Sequence, residues 1–289
     1  MTPRLKELVC LALRLTLVPT LIRHTVQRRR VTILLYHRPT PAILERHMRF
    51  LARAYNPISL RRYLKARRRG SMAGLPPRPL VITFDDGHRT NIDLLPVFER
   101  LGLAPTIFLC SGIVGTEEPF WFDAVDDPAA LKHLPDAERV AVVERSTVPP
   151  GPRPALSGEE IEAMRGAVDF QAHTVSHPIL PRCDDAKARR EIAGAKAELE
   201  ERYGLSVHAL AYPNGDYGDR EVALAREAGY EVALTVDQGV NGARTDPFRL
   251  KRIAIDDVND GPQALALKAC GLWGQIRRAA RATRGRARG

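Results

Sequence analysis

The sequence predicts an α/β protein built on a parallel β-sheet, and three observations carry that prediction. Short apolar runs, several rich in β-branched residues, alternate with longer amphipathic stretches from residue 31 onward. Seven of the short runs read as strands, most of them separated by a helical stretch, and parallel strands need such crossovers. The length, 289 residues, suits one large α/β domain or two small ones. At this size a closed or nearly closed barrel fits as well as an open sheet. No internal repeat is visible at a period of roughly 20–50 residues.

Each element has a local cause. Val31–Tyr36 (VTILLY) is a continuous apolar run, as expected of a strand buried on both faces. Helical stretches follow at 41–54 and 59–69, the second cut off by Gly70 and a Pro-rich loop. Leu80–Phe84 is the next strand, Asn91–Leu101 a helix closed by Gly102, and Pro105–Cys110 the third strand. A helix is expected over 128–146, between irregular segments that hold Phe120, Trp121 and Phe122. Ser157 with Glu160 three residues on is a capping box that opens a short helix. Strands at 168–172, 208–212, 230–235 and 250–255 then alternate with helices at 184–203, 219–228 and 261–280. Gly204 and Gly229 serve as stops.

In barrels of parallel strands, chemistry gathers at the C-terminal ends of the strands. Functional residues are therefore expected directly after apolar runs.

Composition narrows the function classes. With 44% hydrophobic and 27% charged residues the chain reads as an ordinary soluble protein. The net charge of +10 is concentrated at the ends: +6 in residues 1–30 and +6 in 277–289, which leaves the body at −2. A nucleic-acid binder would carry a basic stripe across the folded body, so that class is set aside. The expected organisation is a basic, apolar N-terminal extension (1–30), one domain (31–275) and a basic tail (276–289). The apolar run 8–22 is too short for a membrane span and has Arg14 in its middle. It reads as a helix packed on the domain or lying on a membrane surface. A peripheral membrane contact through this run and the basic tails is therefore open, and the expected location is the cytoplasm. The four cysteines form no CxxC pair and require no oxidising compartment. Cys110, at the end of an apolar run, reads as a packed core thiol.

Two motifs meet the strand-end expectation. Thr83-Phe84-Asp85-Asp86-Gly87 ends the second strand. Adjacent carboxylates repel and raise one another's pKa unless a cation neutralises them, and Gly87 allows a sharp turn. His173-Thr174-Val175-Ser176-His177 follows the fourth strand, and two histidines four residues apart on a helical turn can chelate one ion. Two histidines and a carboxylate form a common triad for Zn²⁺ or Fe²⁺.

These two motifs resemble those of the polysaccharide deacetylase family, also called the NodB-homology or carbohydrate esterase family 4 group. The likeness runs from about residue 31 to 256. It implies a distorted (β/α)7 barrel, with a short N-terminal helical extension and a basic C-terminal tail added. It implies Asp85 as catalytic base and Asp86, His173 and His177 as ligands of one divalent ion, Zn²⁺ first, with Co²⁺, Ni²⁺ or Fe²⁺ as alternatives. The implied activity is removal of acetyl groups from N-acetylated sugars.

The remaining family motifs are altered. The third falls on Ala211-Tyr212-Pro213-Asn214-Gly215, where Ala211 replaces an arginine that orients the base. Tyr212, Pro213, Asn214 and Gly215 stay as substrate or oxyanion contacts, with the Asn214 backbone N–H as donor. The fourth motif has no match, and Arg252 stands where the fifth carries its acid histidine. His37, directly after the first strand, is the expected general acid, and His88 is a weaker candidate. Trp121 and Phe122 are expected in the core rather than on a sugar. Open alternatives are an O-acetyl esterase or small-amide hydrolase of the same fold, a metal-free relative lacking the histidine pair, and a non-catalytic sugar-binding partner of a polysaccharide synthase.

Overall fold

Strands and helices alternate along the computed structural model, which describes residues 3–149, 151–258, 260–274 and 276. In chain order they are α1 (Pro3–Leu15), α2 (Val18–His24), β1 (Thr32–Tyr36), α3 (Pro41–Leu51), β2 (Asn56–Pro57), α4 (Leu60–Arg68) and β3 (Pro79–Phe84). Next come α5 (Leu95–Leu101), β4 (Thr106–Leu109), α6 (Pro128–Leu131), α7 (Asp136–Glu144), α8 (Gly158–Met164) and β5 (Asp169–Ala172). The chain continues through α9 (Asp185–Tyr203), β6 (Ala209–Ala211), α10 (Asp219–Glu227), β7 (Val232–Leu234), β8 (Ile253–Ala254) and α11 (Pro262–Ala269). The basic tail from residue 277 on lies outside the described residues.

Every residue of β1, β3 and β4 is buried, which is why these strands read as unbroken apolar runs rather than alternating ones. Helix starts follow side-chain chemistry. The Thr40 hydroxyl accepts the Ile43 N–H at α3, and Asp184 accepts the Lys187 N–H at α9. Ser157 and Glu160 form the expected capping box at α8. Gly204 ends α9 in the left-handed conformation.

The chain divides into two compact units. The first draws on Met1–Ile82, Asp237–Thr245 and Lys251–Gly289, the second on Thr83–Val236 and Asp246–Leu250. In the first unit β1 pairs with β8 and β2 with β3, all parallel. There α1 packs along α11 through Cys10, which sits with Ala264 and Leu267 under Leu13 and Trp273. In the second unit the end of β3 begins a parallel run β3-β4-β5-β6-β7, each strand beside the next in sequence. Among the described residues no helix is long and apolar enough to cross a membrane.

Several boundaries differ from the expectation for physical reasons. The helix expected over 128–146 is two, because Pro135 cannot continue a helix and instead precedes the first turn of α7. The stretch expected as one helix from Asn91 opens as a 3-10 turn, Arg89–Leu94, before Pro96 enters α5. An eighth strand, β2, is only Asn-Pro; it has no apolar run to announce it. The apolar N-terminal run breaks into α1 and α2 around Leu17, whose φ is 62°.

Candidate functional site

The acidic pair leaves β3 at the start of the second unit, and backbone geometry turns it. Asp86 has φ 73° and Gly87 φ 66°. A Cβ on Gly87 would stand 2.5 Å from Leu109 Cδ2, so with its positive φ the turn favours glycine. The segment after the loop braces it: Leu156 N–H donates to Gly87 O, Arg89 N–H to Pro154 O, and His88 bridges to Ala155. The histidine motif leaves β5 with the same economy of backbone. His173 N–H donates to Leu109 O on β4, while Ser111 and Gly112 N–H groups donate to Thr174 O and Val175 O.

The two motifs meet. Asp86, His173 and His177 are all buried, and one ligand atom from each lies within 4.8 Å of the others. Asp86 Oδ1 is 3.4 Å from His173 Nε2 and 3.3 Å from His177 Nε2. A tetrahedral ion with bonds of roughly 2.0–2.1 Å holds its ligand atoms roughly 3.3–3.4 Å apart, so the spacing fits one cation. The same Oδ1 has no hydrogen-bond partner although it is buried, a cost that a cation would remove.

The surrounding groups orient the triad. His173 Nδ1 lies 2.8 Å from Ala211 O. A carbonyl can only accept, so Nδ1 carries the proton and the neutral ring keeps its Nε2 lone pair for a ligand bond. His88 Nε2 stands 2.9 Å from Asp86 Oδ2, the oxygen that the other histidines leave. Glu191 on α9 accepts from Val175 N–H at 2.9 Å, Ser176 N–H at 2.8 Å and the Ser176 hydroxyl at 2.5 Å. Trp121 Nε1–H donates to His177 O at 2.9 Å, and Phe122 meets the His177 ring edge-on at 5.1 Å. The aromatic cluster packs on His177, with Phe120 and Trp121 buried.

Burial and charge compete at each ionisable group. Burial pushes the Asp86 carboxyl up, but the imidazoles of His173, His177 and His88 outweigh it and hold it well below its ordinary value. Burial pushes His173 down, yet the carboxylates of Asp85 and Asp86 leave it above the ordinary histidine value. His177 stays below, because burial there exceeds the pull of Asp86. Asp85, buried, places Oδ2 3.8 Å from His173 Nε2, beside the triad without joining it.

The third motif lines up next to these residues in β6 and the turn after it. Pro213–Gly215 is a 3-10 turn with Asn214 at φ 56°, and a Cβ on Gly215 would stand 2.2 Å from Val236. Asn214 Nδ2 is buried without a hydrogen-bond partner. The Tyr212 side chain turns away into the core, where it stacks on Tyr217 at 4.9 Å and its hydroxyl donates to Phe248 O. His37 belongs to the first unit, at the end of β1, where its N–H donates to the Asp257 carboxylate at 3.2 Å. Arg252, in place of the family's histidine, is fully buried in that unit.

Glu191 and Asp216 had no local signal in the sequence. Glu191 is one acid among many on a charged helix, and only the packing of α9 selects it. Asp216 follows the PNG turn; burial raises its carboxyl above the ordinary value against the charges of Lys132, Arg182 and His177.

YxkH of Bacillus subtilis (strain 168), named for polysaccharide deacetylation, is 20% identical over 177 residues, 61% of this chain. The chain spans about half of that relative's length, 51%. Among solved structures, the Streptococcus pyogenes deacetylase PplD in complex with acetate superposes with a TM-score of 0.63 at 18% identity, covering 83% of this chain and 98% of its own. IcaB from Ammonifex degensii gives 0.64 at 19% identity, covering 83% and 97%. These likenesses show the fold, a NodB-type sheet of parallel strands with surrounding helices. The family model described as polysaccharide deacetylase matches residues 73–233, more than half of the chain and a span that includes Asp86, His173 and His177, so the chain belongs to the polysaccharide deacetylase family.

Proposed function

We propose that the protein is a metal-dependent hydrolase that removes acetyl groups from N-acetylated sugars of an oligo- or polysaccharide or glycoconjugate. One observation carries this: three buried candidate ligand atoms are spaced for one cation, with a second carboxylate, Asp85, 3.8 Å from His173. Asp86, His173 and His177 would hold the ion, with Zn²⁺ the best match to two imidazoles and a carboxylate. A divalent ion there supplies Lewis acidity, which eases deprotonation of water near neutral pH and polarises a carbonyl.

The chain's own residues do the rest. Asp85 accepts the proton of the attacking water as it adds to the acetamide carbonyl. Asn214 donates to the oxyanion; losing one such donor typically costs about 10²–10³ in rate. A protonated group then gives its proton to the departing amine; within the second unit Asp216, whose carboxyl burial raises above its ordinary value, is the candidate. The products are acetate and an amino sugar. The acetate in the PplD structure is consistent with such a site.

A non-catalytic role remains the one alternative with an observation behind it, since Ala211 and Arg252 replace two residues that assist the family's chemistry. One experiment separates them: metal analysis of the purified chain, with acetate release from N-acetylglucosamine oligomers and from O-acetylated sugars, with and without chelator. About one ion per chain and chelator-sensitive release from the N-acetyl substrate are expected. Asp85→Asn should keep the ion and lose about 10²–10⁴ in turnover. A chain that binds the ion but releases no acetate from either substrate would sink the enzymatic proposal.

A further inference from the structure

From Glu7 on, helix α1 is turned inside out. Two of its charged residues, Glu7 and Arg14, face the protein. Glu7 accepts the backbone N–H groups of Gln263 and Ala264 at the start of α11, and Arg14 Nη1 donates to Gln263 Oε1 at 2.6 Å. Cys10 and Leu13 pack on α11 between them. The opposite stripe, Leu8, Leu11 and Leu15, at spacings of three and four residues, is open to solvent, and Leu15 is 72% exposed. Leu17 and Leu21 extend the apolar surface through the bend into α2, at 71% and 63% exposure. A helix that is apolar on its outer face and uses its charges inward is suited to an outer surrounding that is not water.

The same unit has a basic groove directly after α2. It has a volume of about 770 Å³, and its lining includes Arg28, Arg29, Arg30, Arg244 and Lys251 without a single acid. Val26, exposed like the leucines, sits in that lining and joins the apolar and basic surfaces. The tail 277–289 adds six arginines but no side chain more apolar than alanine, so its composition does not suit it to cover a leucine stripe. A second copy would set one arginine row against another.

We infer that the α1–α2 face seats the protein on an anionic lipid surface. The leucine stripe enters the boundary between headgroups and acyl chains, and the arginine groove meets the lipid phosphates. This interfacial seat does not depend on the proposed chemistry, because none of its residues belongs to the candidate site.

The test is co-sedimentation of the full chain with vesicles of phosphatidylcholine alone or with a quarter phosphatidylglycerol. Binding to the anionic vesicles is expected, weakening as sodium chloride rises. The triple variant Arg28→Gln, Arg29→Gln, Arg30→Gln should bind them on the order of 100-fold more weakly. Leu15→Asp with Leu21→Asp should abolish binding while leaving metal content and circular dichroism at wild-type values. Wild-type protein that stays in solution with anionic vesicles at low salt overturns the inference. So does a leucine variant that binds normally, or a wild-type dimer in light scattering that the leucine variant turns into a monomer.

Discussion

Four residues of the candidate site share a backbone conformation that side chains resist: Asp86, Thr174, His177 and Asn214 all have positive φ, from 56° to 73°. Only Leu17 and Arg78 join them among the described non-glycine residues. Left-handed backbone costs roughly 1–2 kcal/mol per residue, and more for β-branched Thr174. Such strain persists where surrounding contacts over-determine it, here the Glu191 carboxylate and the bracing segment 154–156. Gly87 and Gly215 relieve two positions where a Cβ would also collide. Gly87→Ala is therefore expected to destabilise the fold by about 1–3 kcal/mol in urea titration and to lower the metal bound per chain. Full stability with full metal content would show that the turn tolerates a side chain.

At the scale of elements, two helices reach into the site through polar contacts. Glu191 on α9 gathers three donors from the loop that carries His177. Glu191→Ala should weaken metal affinity by roughly 10–100-fold, with Glu191→Gln recovering part of it, as measured by chelator competition. Unchanged affinity in both variants would make that contact structural only. Helix α8 works through its cap. Glu160 accepts the Ser157 N–H and a bidentate pair from Arg153, whose guanidinium also donates to Ala155 O beside His88. The Arg153 hydrogen bonds, against the opposing effect of partial burial, hold the Glu160 carboxyl below its ordinary value. A depressed carboxylate stabilises fully above its unfolded pKa and ceases to do so as pH falls through the folded one. Glu160→Gln should thus cost roughly 1–2 kcal/mol at pH 7, a gap that closes on acidification below the glutamate range. A gap that persists at low pH would mean packing, not charge, makes the difference.

For the whole molecule, an ion bound only by the folded chain adds stability by mass action, about 2.7 kcal/mol when its free concentration is 100 times Kd. Removing it with chelator should lower Tm by several degrees in a calorimetric scan, and adding Zn²⁺ back should restore it. No shift on chelation would mean that the buried triad holds no ion in solution. Charge distribution belongs to this scale as well. The sequence places the positive excess at the chain ends, yet Arg28–Arg30 meet Arg244 and Lys251 around one groove of the first unit.

Alternation of apolar runs and helical stretches was legible because five strands, β1, β3, β4, β6 and β7, are buried along their whole length, so local composition carries the signal. The candidate ligand residues were legible for a related reason: DDG and HxxxH are short motifs that can be read within a few residues of sequence. β2 was not, because two residues of Asn-Pro pair with β3 through the position of their backbone alone. Neither was the split of 128–146, where Pro135 competes with an otherwise helical pattern. Arg14 is the clearest contrast. In sequence it interrupts an apolar run; in the fold it turns to Gln263, and the leucines are left outward. The sequence by itself determined the kinds of element and the residue types able to hold a cation. Tertiary structure decided that residues 87 positions apart in sequence, Asp86 and His173, share one site, that Glu191 steadies it, and which side of α1 faces out. Those outcomes depend on strand register and helix rotation, which are fixed by contacts between distant segments and leave no local trace.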